Sequence, residues 1–284
     1  MRDDMGGAGV CGMPALPVLA RAALHLWEEP PISGTNGSGA VFFSGCPLQC
    51  VFCQNEEISR EKKGKIISTT RLREIFFELI AQGAHNINLV NPTHFALAIG
   101  QALEEPLPVP VVWNSGGYDS VETLRALEGK IQVFLPDLKY LDRAAAAAYS
   151  AAPDYPEVAQ NAIREMVRQT GPYLIEDGLM KRGVIIRHLI LPGRAAGAKA
   201  VMDWIAAEFP PHTVMLSLMS QYTPWGRAKD LPGLDRVLRP SEIHACEAYF
   251  AALGLDGFTQ ELLSATDGFI PAFDFTGVSP ERKK

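Results

Sequence analysis

Apolar positions along the chain alternate between two patterns: short continuous runs bounded by glycine, and longer stretches with a three-to-four-residue repeat. "GAVFFSG" at 39–45 is a β-branched and aromatic run between glycines and predicts a buried strand. "STTRLREIFFELIAQG" then places Leu72, Ile75, Phe76, Leu79 and Ile80 on one helical face, with Ser68 or Thr69 as cap and Gly83 as the stop. "INLV" at 87–90 predicts a second strand, "HFALAIGQALEE" a helix, "VPVVWN" a third strand and "DSVETLRAL" another helix. A fourth strand ends near Leu135 in "QVFLPDLKY", with helical material at 144–149 and 157–170. "GVIIRHLILPG" predicts a fifth strand, 198–209 its helix, and 213–219 a sixth strand.

Six such alternations predict an α/β chain with parallel strands, in a sheet either open or curled into part of a barrel. Either arrangement gathers reactive residues at the C-terminal ends of the strands. The polar segments "SGC", "NPTH", "NSGGYD", "PDLKY" and "QYTPWG" all fall there. Residues 1–38 are expected as an N-terminal extension with one short helix at 18–26, 39–225 as the barrel, and 226–284 as a helix (242–253) with a covering tail. In that tail Phe269, Phe273 and Phe275 recur at even spacing, as in a terminal strand, and Cys246 shares the apolar face of its helix as a core thiol. The "SGTNGSG" turn lacks the Gly-Lys-Ser/Thr ending of a phosphate-binding loop.

The 284 residues carry a net charge of −6, which argues against nucleic acid or an anionic membrane surface as a partner. No apolar run approaches the roughly 20 residues of a spanning helix, and "MRDDMGGAG" has no signal-peptide layout, so a cytoplasmic location is expected. Five cysteines are no secreted disulfide framework, and three of them, Cys46, Cys50 and Cys53, crowd into "FFSGCPLQCVFCQNEE". Thiolates favour zinc, copper(I) and iron–sulfur clusters. A structural zinc site wants a fourth ligand close by, yet the nearest histidines are His25 upstream and His85 downstream. An iron–sulfur cube held by three cysteines keeps one iron open for chemistry. A Cys50/Cys53 redox pair and a zinc site without catalysis are the alternatives.

The Cys-x3-Cys-x2-Cys spacing with aromatic Phe52 before the third cysteine resembles the radical S-adenosylmethionine (SAM) enzymes. Further stretches, "LHLWEEPPISGTNGSGAVFFSG", "NINLVNPTHF", "FLPDLKY" and "QYTP", resemble the pyruvate formate-lyase activating enzyme-like subgroup. The resemblance implies a partial (β/α)6 TIM-like barrel, a [4Fe–4S] cluster on Cys46, Cys50 and Cys53, and SAM bound at the fourth iron. It also implies a one-electron donor such as flavodoxin or ferredoxin. The implied product is a 5′-deoxyadenosyl radical that abstracts hydrogen from a protein or peptide, such as a glycyl-radical enzyme, with a small metabolite as the alternative.

By the same resemblance, Asn91-Pro92-Thr93-His94 stands where activating enzymes carry a Gly-Gly-Glu-Pro stretch that meets the SAM amino group, so Asn91 and Thr93 are expected at the cofactor and Thr93 takes the place of the acid. Asn114 and Ser115 match positions near ribose and methionine, and Gln221 and Tyr222 positions near adenosine. Asp137 and Lys139 approach SAM, the lysine meeting its carboxylate. Strand parity puts both on one face, and puts Arg187 inward with Leu189 while His188 faces outward under a helix. His94 stands beside the site, as substrate contact or helix cap; His25, His85, His212 and His244 have no companions. Cys11 is expected as a remnant of an upstream cysteine-rich segment.

Overall fold

Local sequence and local structure agree closely at α3 (Thr69–Ala81), where Ser68 caps the helix by accepting the Arg71 N–H and Leu72, Ile75, Phe76 and Leu79 are buried. The computed structural model describes residues 12–259 and 271–280. Before α3 the chain forms β1 (Val18–His25), α1 (Pro30–Ser33), β2 (Ser38–Phe43), α2 (Glu56–Ser59) and β3 (Lys65–Ile66). After it come β4 (Ile87–Val90), α4 (Ala96–Ala102), β5 (Val111–Ser115), α5 (Val121–Ala126), β6 (Val133–Pro136), α6 (Arg143–Ser150) and α7 (Tyr155–Thr170). The remainder is β7 (Leu174–Glu176), β8 (Leu179–Leu189), α8 (Ala195–Glu208), β9 (Met215–Met219), α9 (Pro240–Leu253) and β10 (Gly257–Thr259).

The six expected strands are β2, β4, β5, β6, β8 and β9. They lie side by side in that order and pair in parallel, with β10 continuing beyond β9. Among the described residues the far edges, β3 and β10, are not joined, so the sheet is an open, partial barrel. Outward residues such as Leu89, Trp113 and Phe134 pack under the helices in the main core. Inward residues Val112, Val133, Leu135 and Ile185 cluster with Ile32 of α1, which plugs the end of the barrel where the strands begin. The opposite end is left to polar loops.

Three expectations change. The helix expected at 18–26 is strand β1, antiparallel to β2 from Leu19 opposite Phe43 to His25 opposite Ser38. "VLARAALH" has alanines that favour helix locally, but pairing with β2 satisfies its backbone and buries Val18, Leu19, Ala20 and Ala22. The N-terminal extension therefore contributes to the same sheet as the barrel strands. Second, residues 271–280 form no strand, although the Phe275 N–H donates to Ala20 O (3.0 Å) and the Ala22 N–H to Thr276 O (2.8 Å). Phe273 turns inward against Phe42, with ring centroids 5.6 Å apart. Third, β7 and β8 form a hairpin through Asp177 and Gly178, which the apolar pattern did not show. Cys246 is fully buried, as expected. Cys11 and Phe269 lie outside the described residues. Among the described residues no helix is long and apolar enough to cross a membrane.

Candidate active site at the barrel mouth

The three cysteines follow β2 on a loop tied down by its backbone. The Val51 N–H donates to Tyr149 O (2.9 Å) and the Gln49 N–H to Ser150 O (3.2 Å), both at the end of α6. The Arg60 guanidinium donates to the carbonyls of Gln49 (2.8 Å) and Cys50 (3.1 Å). The thiols are free and partly buried, Cys50 Sγ 3.0 Å from Ser150 Oγ and Cys53 Sγ 3.3 Å from Ser59 Oγ. Together they line a cavity of about 270 Å³ at the C-terminal ends of the strands.

Burial first, then the neighbouring cysteines, push the Cys46 thiol up, and burial with Cys50 does the same to Cys53. A bound metal group must displace those protons. Among the described residues no three His, Cys, Asp or Glu side chains stand close enough for a single metal ion. Three soft sulfur donors line one cavity that has no histidine in its lining among the described residues, a donor set that fits an iron–sulfur cluster.

The opposite wall is polar and charged. Lys139 Nζ donates to Asp137 Oδ2 (2.5 Å), Arg187 Nε to Asp137 Oδ1 (2.9 Å) and Arg187 Nη2 to Asn114 Oδ1 (2.7 Å). All four side chains line the cavity, as does Leu189, whereas His188 lies on the other face of its strand. Burial alone would raise the Asp137 carboxyl; Arg187 and Lys139 outweigh it, so the carboxyl sits below its ordinary range. His188 donates from Nδ1 to Leu138 O (2.6 Å), and burial lowers its pKa to about 4, so it is neutral near pH 7.

Asp119 knots the loops after β4 and β5. Buried, it accepts Ser115 Oγ (2.5 Å), Thr93 Oγ1 (2.8 Å) and Trp113 Nε1 (3.3 Å). Thr93 thus turns to Asp119 and does not line the cavity; Ser115 does both. Asn91 lines the cavity in a left-handed conformation (φ 60°) with its amide Nδ2 on Gly45 O, the carbonyl that also accepts His94 Nε2 (2.8 Å).

Close approach fixes the next loop. Tyr155 OH donates to Asp137 O (2.7 Å) and accepts the Lys139 N–H (3.0 Å). At Gly117 (φ +75°) a Cβ would collide with that same Asp137 carbonyl. Gly117→Ala should cost about 1–3 kcal/mol, read as a thermal midpoint lowered by roughly 2–4 °C per kcal/mol. Wild-type stability in this variant would contradict the packing described.

On the sixth-strand side, Phe52 meets Tyr222 edge-on (centroids 6.0 Å apart), and Tyr222 OH donates to Leu234 O (2.7 Å). Gln221 lines the cavity, and its Oε1 is buried with no hydrogen-bond partner among the described residues. Sequence reasoning missed Asp119, Tyr155 and, above all, Glu28 and Glu29. These two acids between β1 and α1 lie with their carboxylates 3.9 and 4.0 Å from the Arg187 guanidinium. The signal was two acids before two prolines in "WEEPP", a pattern that by itself reads as a solvated turn.

Residues 33–126 match the family model of a 4Fe-4S single cluster domain, a stretch that contains all three cysteines. An uncharacterized protein of Methanocaldococcus jannaschii is 30% identical over 230 residues, 78% of this chain. The chain spans 63% of the length of that relative. A radical SAM methyltransferase from Sphaerobacter thermophilus superposes with a TM-score of 0.51 at 14% identity, over 78% of this chain and 66% of that one. A domain of a pyruvate-formate lyase-activating enzyme from Bacteroides vulgatus aligns at 15% identity over 68% of this chain and 91% of that one, with a TM-score of 0.38. A matched 4Fe-4S single cluster domain thus encloses the cysteine triad, and the largely parallel partial barrel that carries the triad at its mouth has the fold of a radical SAM methyltransferase.

Proposed function

We propose that the protein is a radical SAM oxidoreductase of the activating-enzyme type, acting in the cytoplasm on a protein or peptide substrate. The observation that carries the chemistry is a single cavity with three thiols on one wall and Asp137, Lys139, Arg187 and Asn114 on the other. Cys46, Cys50 and Cys53 would hold the cluster, which together with SAM would supply radical chemistry: reductive cleavage of a sulfonium C–S bond and hydrogen abstraction from the substrate. The electron comes from an outside donor of the flavodoxin or ferredoxin kind.

The chain's own residues bind and orient. Lys139 offers its ammonium to the ligand carboxylate, held in place by Asp137. Arg187 and Asn114 brace each other at the ribose side, with Ser115 beside them. Asn91 has its amide nitrogen committed to Gly45, so its carbonyl oxygen is the acceptor left for the ligand amino group, the part Thr93 gives up to Asp119. Gln221 Oε1 accepts from the adenine amino group, and Phe52 with Tyr222 forms an apolar wall that excludes water.

A small metabolite is the second reading, favoured by Phe273, which clusters with Phe42 and with the cavity-lining Ile58 and Val90. Reduced, reconstituted protein should convert SAM to methionine and 5′-deoxyadenosine; an intact cluster with no 5′-deoxyadenosine would overturn the proposal. Acceleration of that reaction by the macromolecular fraction of a cell extract supports the peptide substrate. Acceleration by the small-molecule filtrate alone supports the metabolite.

A further inference from the structure

The "WEEPP" turn carries two acids into the barrel. The Glu28 backbone is pinned by Ser33, whose Oγ accepts its N–H (2.9 Å), and the side chains reach Arg187 from below the cavity. Their side chains are 9% and 3% exposed. Facing them are Arg187 from β8, Asp137 after β6, and the neutral Asn88 and Asn114 from β4 and β5; Lys139 joins this group through Asp137, and Ser217 of β9 pairs in register with Arg187. Glu28 Oε2 accepts from Asn114 Nδ2 (3.3 Å).

Some atoms in this layer are not satisfied. Among the described residues, Glu29 Oε2 and Ser217 Oγ are buried with no hydrogen-bond partner. The charges are also unequal: Glu28, Glu29 and Asp137 oppose only Lys139 and Arg187, so one negative charge is in excess when all are ionised. An uncompensated buried charge is costly. Two remedies exist, a proton on the pair or a cation in the cavity, and they exclude each other.

We propose that Glu28 and Glu29 form a counter-charge site for a cationic sulfonium ligand in the cavity on the far side of Arg187, exchanging a proton they hold for the ligand's positive charge. The released proton goes to solvent. The titration behaviour agrees: burial first, with Glu28 adding to it and Arg187 opposing, raises Glu29 to about 7, and burial raises Glu28 as well. The pair titrates as a unit. With the cavity empty the folded chain therefore holds a proton below about pH 7 that a bound cation removes, so cation affinity weakens as pH falls, by roughly tenfold per unit.

This inference rests on SAM as the ligand, and its test separates the two claims. Protein with an oxidised, reconstituted cluster is titrated calorimetrically with SAM and with S-adenosylhomocysteine in buffers of different ionisation enthalpy. Both ligands carry the same amino group, but only SAM carries the sulfonium, so the difference in protons released reads the pair. The expected difference approaches about one proton near pH 6 and vanishes near pH 8.5. Glu29→Gln should abolish it and flatten the pH dependence of SAM affinity, with Glu28→Gln as a second variant should the first fold poorly. Equal release with both ligands in the wild type overturns the counter-charge role and leaves the proposed function standing. Failure of SAM to bind protein with an intact cluster overturns both.

Discussion

Alanine in place of Cys50 should leave a folded protein with no [4Fe–4S] cluster and no SAM cleavage above background. The thiol sits on a loop, partly buried, and its one hydrogen-bonding contact among the described residues is Ser150 Oγ at 3.0 Å. Losing that contact costs the fold at most about 1 kcal/mol, because Val51 and Gln49 still hold the loop through their backbone. The cluster, in contrast, loses one of three protein ligands, and two thiolates do not hold a cube with one open iron. Iron content and circular dichroism read the two effects separately. Iron retained at wild-type level in Cys50→Ala would remove the triad from the account. Cys246 provides the contrast, since it is buried beside Ile243 and Phe250 in the core and its substitution should affect stability while leaving the iron in place.

Asp137→Ala should have the largest effect on stability. Its carboxylate is the shared partner of Lys139 (2.5 Å) and Arg187 (2.9 Å), and both cations are more than four-fifths buried. Removing one member of a buried ion pair costs about 3–5 kcal/mol because the remaining charge is stranded. Arg187 keeps Asn114 and the more distant Glu28 and Glu29, while Lys139 loses its one ion-pair partner among the described residues. The thermal midpoint should fall by roughly 2–4 °C for each kcal/mol. The sign with pH follows from the lowered carboxyl: the pair stabilises the protein at neutral pH, and that stability is lost only as pH falls below the ordinary aspartate value of about 3.9. The wild type and Asp137→Ala should therefore converge in stability in acid and diverge above it. A variant as stable as the wild type at pH 7 would mean that the cluster of charges is not held as described.

Much of this architecture was legible because it is local. The α3 repeat, its Ser68 cap, the glycine-bounded run that became β2 and the short apolar run that became β4 depend on near neighbours. So does the cysteine spacing, since three ligands of one cluster lie within a single loop. Strand parity at Arg187 and His188 could be read for the same reason.

What could not be read depends on pairing across the chain. "VLARAALH" has the composition of a helix and becomes β1 only because β2 offers it an edge. Glu28 and Glu29 look like solvated acids until the sheet brings β8, far away in sequence, over them. Thr93 was read by its alignment with an acid, and the structure turns its hydroxyl to Asp119, a residue that carries no motif. Tyr155 likewise gains its place between Gly116, Asp137 and Lys139 from the packing of α7 alone.

Electron paramagnetic resonance of the anaerobically reconstituted, reduced protein, recorded with and without SAM, tests the central claim most directly. The account predicts a reduced [4Fe–4S] signal that changes when SAM is added and is absent in Cys50→Ala. A protein that takes up one equivalent of zinc and shows no cluster signal, or a cluster signal unmoved by SAM, would contradict it.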